Sequence, residues 1–145
     1  MNIETLYTAS ATAIGGREGQ VTSSDGVLDL AVRTPKQLGG AGGDFTNPEQ
    51  LFAAGYASCF DSALGLVARL KKVNTGPTSV AAEVSLGKTE NGGYGLAVNL
   101  LVTVPGVDQE VAEDLVQTAH QVCPYSNATR GNILVNISVT TEAAV

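Results

Sequence analysis

Two thiols, Cys59 and Cys123, stand 64 positions apart in a chain of 145 residues that carries a single histidine. That separation excludes a Cys-x-x-Cys redox motif, and two thiols with one imidazole cannot supply the four N or S ligands of a structural zinc site. Asp44, Asp61 and Glu83 lack metal-ligand spacing as well, so no metal is expected. Two inert thiols or a redox pair remain. A thiolate, not a thiol, attacks an electrophile, and a cysteine among apolar side chains needs a nearby cation to ionise. The arginines on offer are Arg17, Arg33, Arg69 and Arg130. Arg17 lies in a turn tightened by Gly15, Gly16 and Gly19, and Glu49 could hold its guanidinium by the bidentate pairing that arginine favours.

Cys123 is differently placed. It precedes Pro124, which pushes it out of helical geometry and ends a helix there. The partial negative charge of a helix C-terminus disfavours a thiolate, so Cys123 is the poorer first nucleophile. The expected division of labour is that Cys59 meets an oxidant and becomes a sulfenic acid, with which Cys123 condenses to a disulfide.

The element that must carry Cys59 is a helix over residues 48–70. Asn47 can cap its first turn, and Pro48 suits its first position, where the missing N–H would have had no partner. Apolar side chains from Leu51 to Leu70 fall on almost every face, with small residues among them, which predicts a buried central helix. Glu49 and Cys59 are ten residues apart, about 15 Å of helical rise, too far to share one guanidinium's surroundings on a straight helix. Either the helix kinks near Gly55, or Arg17 and Glu49 of one subunit face Cys59 of another; the second is predicted.

Before the helix, residues 6–14, 20–23 and 27–32 read as a three-stranded antiparallel meander, and the glycine-rich stretch Leu38 to Asp44 lacks the Gly-Lys-Ser/Thr ending of a phosphate-binding loop. After it, strands at 78–88 and 95–104 flank an Asn-Gly turn signal. Asp108 then opens a helix with a stripe of Val111, Leu115, Ala119 and Val122, residues 125–129 form a short polar connection, and Ile133, Val135, Ile137 and Val139 mark a last strand. The class is α+β: two small antiparallel sheets around a long buried helix, in a single domain over residues 1–145. A helix apolar on all sides needs more cover than one sheet gives, so a two-fold homodimer is inferred.

Composition narrows the function. The net charge of −6 with only eight Lys plus Arg leaves no basic stripe for nucleic acid. Met1 to Thr5 does not begin a signal peptide, and no apolar stretch is expected to approach bilayer-spanning length; no membrane partner and a cytoplasmic location are the expectation.

The runs from Asn47 to Phe60, from Thr34 to Gly40 and from Val122 to Asn132, with Leu6 to Ala9 and Ser23 to Gly26, closely resemble the organic hydroperoxide resistance (Ohr) proteins of the OsmC/Ohr family over essentially the whole chain. The resemblance implies an OsmC-like fold as an intertwined homodimer. It implies a thiol-dependent peroxidase that reduces organic hydroperoxides, including those of fatty acids, to alcohols. By it Cys59 is the peroxidatic and Cys123 the resolving cysteine, with Arg17 and Glu49 as the activating pair. The reductant would be a dihydrolipoyl group, as dihydrolipoamide or on a lipoylated protein, and no cofactor would be bound. Leu38, Phe45, Phe52, Tyr56 and Phe60 are candidates to receive an alkyl tail. Asp61, next to Phe60, is more polar than expected there.

Two other readings differ in chemistry: an OsmC-type peroxidase of broader substrate range, and a non-enzymatic redox-sensing or small-molecule-binding dimer of the same fold. His120 is expected to be an exposed helical histidine, Tyr56 chiefly a packing residue, and Tyr125 and Arg130 possible contacts for a lipoyl partner.

Overall fold

A computed structural model describes residues 1–143. The chain divides into two compact units, a first of Met1–Leu51 and a second that begins at Phe52.

The first unit holds strands β1 (Ala11–Ile14), β2 (Gln20–Ser23) and β3 (Asp29–Ala31), paired antiparallel in the order β1-β2-β3. This is the expected meander with shorter outer strands. Residues 6–9 alternate in sequence but pair with no strand among the described residues, and an unpaired strand has no ladder to hold it; Ser10 is held only by its carbonyl, which accepts from the Ser24 amide at 2.9 Å. The turn after β2 is built by Asp25, whose carboxylate accepts from Ser23 Oγ at 2.6 Å and from the Val27 amide at 3.0 Å. Only Val32 and Thr46 are buried in this unit, while Ile3, Leu6, Tyr7, Ile14 and Val27 are 74% exposed or more.

Helix α1 (Pro48–Leu70) starts where its sequence says it should. Asn47 Oδ1 accepts from the Gln50 amide at 2.8 Å, and proline occupies the first helical position. The helix runs without interruption, so no break occurs at Gly55. Its burial is one-sided: Tyr56, Phe60, Ala63, Leu64, Val67 and Ala68 are buried, whereas Ala54, Ser58, Ser62 and Leu66 form an exposed line at four-residue spacing. Contrary to expectation, α1 is long and apolar enough to cross a bilayer, with a mean hydropathy of 1.4. Its alanines raise the average without bulky side chains, and the large residues on its buried face belong to a protein core.

In the second unit, β4 (Ser79–Lys88) and β5 (Tyr94–Thr103) form a ten-residue antiparallel hairpin. Strand β6 (Val135–Thr140) joins β5 in parallel, from Val98 opposite Val135 to Thr103 opposite Thr140. The second sheet is therefore mixed rather than wholly antiparallel, because α2 (Gln109–Val122) and α3 (Pro124–Thr129) form the crossover that a parallel neighbour requires. Asp108 caps α2 by accepting from the Val111 amide at 3.0 Å. The buried stripe of α2 is Ala112, Leu115, Val116 and Ala119, continued by its cap Cys123, while Val122 is 45% exposed. Val98, Leu100 and Val102 of β5 share that core with the buried face of α1. The polar connection at residues 125–129 is helical, as α3.

Candidate active site

Arg17 sits in a 3-10 turn, Gly16–Glu18, between β1 and β2. The turn needs its glycines: Gly15 and Gly16 have φ of 80° and 56°, and a Cβ on Gly19 would lie 1.6 Å from the Ile14 carbonyl oxygen. Three further bonds hold it. Glu18 Oε2 accepts from the Thr34 amide at 2.7 Å, and the Gly19 carbonyl accepts from Arg33 Nη1 at 2.8 Å and from the Val32 amide at 2.9 Å. From this frame the Arg17 guanidinium meets Glu49 side by side, Nη1 to Oε1 at 2.8 Å and Nη2 to Oε2 at 2.9 Å. The hydrogen bond to Glu49, aided by its charge and opposed by partial burial, holds the Arg17 pKa above its ordinary value. The carboxylate is the more sheltered partner, at 16% side-chain exposure against 34%.

In the same unit a cavity of about 320 Å³ is lined by Arg33, Lys36, Gly43, Phe45, Asn47 and Gln50. The Arg33 guanidinium lies over the Phe45 ring at 5.0 Å. Leu38 is 47% exposed, at the end of a second 3-10 turn, Lys36–Leu38.

In the second unit, Cys59 on α1 and Cys123 between α2 and α3 are both free thiols, partly exposed and fully buried respectively. The Cys123 thiol is near enough to Cys59 to influence its ionisation. Burial raises the Cys59 pKa most, and the neighbouring Cys123 raises it further; the Tyr125 backbone works the other way. Cys123 is not simply at a helix C-terminus. It caps the end of α2 and the start of α3 together, with an extended backbone at φ −64°, ψ 123°. The negative end of one helix and the positive end of another meet there, so the dipole of α2 alone does not set its reactivity.

The remaining aromatic candidates are less alike than their residue types suggest. Phe52, Tyr56 and Tyr125 form a cluster, Phe52 to Tyr125 at 6.0 Å and Tyr56 to Tyr125 at 5.7 Å between ring centroids. Tyr56 and Phe60 are completely buried, in the core itself. Gly55 makes room for the Tyr125 hydroxyl, which would lie 2.5 Å from a Cβ there. Asp61 accepts from Thr78 Oγ1 at 2.6 Å, which gives its carboxylate a place beside the core.

Two residues, Ser126 and Thr129, escaped sequence reasoning, and a third, His120, is placed differently from expectation. His120 is half-buried rather than exposed, and its Nδ1 lies 2.8 Å from Ser126 Oγ. Ser126 Oγ also lies 2.8 Å from the Tyr56 hydroxyl, which lies 3.2 Å from Thr129 Oγ1. Arg130 donates to the His120 carbonyl and to Asn127 Oδ1. The available signal was the three-residue spacing of Ser126 and Thr129, which puts both hydroxyls on one face if residues 124–129 are helical.

Comparison with known proteins bears on this arrangement. Residues 40–138 match the family model described as OsmC-like protein. The organic hydroperoxide resistance protein of Xanthomonas axonopodis pv. citri is 56% identical over 135 residues, 92% of this chain and 94% of that protein. OhrA of Bacillus subtilis is 55% identical over 140 residues, 92% of this chain and 96% of that one. Among solved structures, an organic hydroperoxide resistance protein from Elizabethkingia anophelis superposes with a TM-score of 0.93 at 58% identity, covering 97% of this chain and 100% of that one. OhrB of Bacillus subtilis superposes with a TM-score of 0.87 at 47% identity, over 94% and 100%. By this degree of likeness along nearly its full length, the chain belongs to the organic hydroperoxide resistance proteins of the OsmC/Ohr family.

Proposed function

We propose that the protein is a thiol-dependent peroxidase for organic hydroperoxides, those of fatty acids included. The observation that carries this reading is a partly exposed thiol, Cys59, with a second free thiol, the buried Cys123, near enough to influence it. The Cys59 thiolate attacks the terminal oxygen of ROOH, the O–O bond breaks, and the alkoxide takes a proton and leaves as ROH. Cys59 is then a sulfenic acid. The Cys123 thiol attacks its sulfur, water leaves, and the Cys59–Cys123 disulfide forms. A dihydrolipoyl dithiol returns both cysteines to thiols by two exchanges and becomes the cyclic disulfide.

Burial and Cys123 oppose ionisation of Cys59, so the thiolate needs a cation. Arg17, held by Glu49, is the one proposed, supplied with Glu49 by the partner subunit of an intertwined homodimer. Support for the dimer comes from the first unit. Fifty-one residues with only Val32 and Thr46 buried, and with Ile3, Leu6, Tyr7 and Ile14 open to water, lack a core of their own. The Arg17 guanidinium would also donate to the peroxide oxygens as charge develops on the leaving alkoxide. Cytoplasmic action fits a cycle that returns through free thiols.

The test is cumene hydroperoxide consumption by the purified protein with dihydrolipoamide as reductant. Wild type turns over, Cys59→Ser is inactive, and Cys123→Ser works only with a small external thiol that resolves the sulfenic acid. A wild type inert toward every hydroperoxide and dithiol would leave the fold a binding or sensing role and end the peroxidase reading.

A further inference from the structure

The peroxidase chemistry leaves unused a line of polar groups inside the second unit, running from His120 on α2 through Ser126 on α3 to Tyr56 on α1, and on to Thr129. Tyr56 and Ser126 are completely buried and Thr129 nearly so. Proton counting gives the line a direction. Thr129 Oγ1 donates to the Ser126 carbonyl at 3.3 Å, so toward Tyr56 it accepts. The Tyr56 proton is then committed to Thr129, and the Tyr56 oxygen accepts from Ser126 Oγ. The Ser126 proton is committed in turn, so Ser126 accepts from His120 Nδ1–H. Each hydroxyl proton is used once and no buried polar side-chain atom is orphaned among the described residues.

The three helices joined by this line are those that hold the thiols. Helix α1 carries Cys59, and the junction of α2 with α3 carries Cys123. Helix α3 has six residues, too few to hold itself in place by its own hydrogen bonds. Yet it follows Cys123 directly. Ser126, three residues after Cys123, is the knot: one hydroxyl ties α3 to both α1 and α2. Disulfide formation brings two sulfurs to about 2.05 Å and accepts only a narrow set of Cβ orientations. A frame of this kind keeps Cys123 in line for that approach.

We propose that the His120–Ser126–Tyr56 line positions the resolving thiol, setting the rate of disulfide closure and not the rate of attack on the hydroperoxide. The three residues are positioning residues that act through Cys123. The proposal rests on the peroxidase reading above.

The test is a single turnover of the reduced full-length protein with one equivalent of cumene hydroperoxide. Loss of hydroperoxide reports the first step; free-thiol count and Cys59 trapped by dimedone, read by mass, report the second. Ser126→Ala is expected to consume hydroperoxide at the wild-type rate and to close the disulfide about tenfold more slowly, with trapped sulfenic acid accumulating. His120→Asn keeps an N–H close to the place of Nδ1 and closes near the wild-type rate, whereas His120→Leu closes slowly. Val116→Ala, which loosens the same core without touching a hydrogen bond, closes like wild type and separates positioning from mere loss of stability. The proposal is overturned if Ser126→Ala closes at the wild-type rate or slows both steps alike, or if His120→Leu closes as fast as His120→Asn; the His120 pair decides if Ser126→Ala does not fold. A wild type that consumes no hydroperoxide overturns the peroxidase reading instead, and this proposal with it.

Discussion

The Arg17 guanidinium and the Glu49 carboxylate meet through two parallel hydrogen bonds of 2.8 and 2.9 Å, across 32 positions of sequence. A bidentate pair sets the plane of the guanidinium as well as its position, which one ammonium on a flexible stem cannot do. Arg17→Lys is therefore expected to behave nearly as badly as Arg17→Ala, each lowering kcat/KM for cumene hydroperoxide by about 100-fold. Glu49→Gln keeps the shape and loses the charge, so its loss should be intermediate. Steady-state rates of the three variants check this, and an Arg17→Lys of near wild-type activity would show that charge alone suffices.

Gly19 offers a way to disturb Arg17 without changing it. A Cβ there would overlap the Ile14 carbonyl oxygen at the end of β1, so Gly19→Ala must displace backbone and not merely a side chain. The expected cost is about 1–3 kcal/mol of stability, together with a fall in kcat/KM like that of Arg17→Ala. Gly16→Ala meets nothing within 4 Å and strains only a left-handed backbone, so it should be milder. Thermal melts and rates measured side by side would show whether position or strain governs.

Much of this was legible from local rules. Asn47-Pro48 marked the start of α1 and Cys123-Pro124 the end of α2, because caps and prolines act within a few residues. The partnership of Arg17 with Glu49 could be anticipated from the glycine-tightened turn around Arg17, the bidentate habit of arginine and the family resemblance. What could not be read was long-range: that β6 lies parallel to β5, that α1 buries only one face within a single chain, and that His120 turns inward to Ser126. A lone helical histidine and a serine six residues on carry no periodic signal. Their meeting depends on the reversal at Cys123, where one helix stops and another starts.

The pH dependence of Cys59 follows from its surroundings. Burial first, then Cys123, raises its pKa, against the Tyr125 amide, and the proposed partner Arg17 pulls it down. In Arg17→Gln the alkylation of Cys59 by iodoacetamide should therefore have its midpoint above that of an ordinary thiol, and in wild type well below the variant. A raised folded pKa also gives Arg17→Gln stability that is complete below the unfolded thiol's pKa and lost as pH rises from there through the folded value. Adding Cys59→Ser to the variant removes that alkaline loss, and coincident alkylation profiles for wild type and Arg17→Gln would exclude Arg17 as the cation.

His120 tests the opposite sign. Burial, and then the charge of Arg130, lower its pKa from the ordinary imidazole value, so the folded protein binds the proton less readily than the unfolded chain does. The resulting stability is present above the unfolded imidazole pKa of about 6.5 and is lost as pH falls through the folded value. The melting temperature of wild type should decline across that acid window more steeply than that of His120→Asn. Because the chain has one histidine, a single imidazole resonance reports its titration without assignment. Removing the adjacent charge with Arg130→Gln should move that titration upward, and by less than full exposure would, because burial is the larger cause. An Arg130→Gln titration identical to wild type would leave burial as the sole origin of the shift.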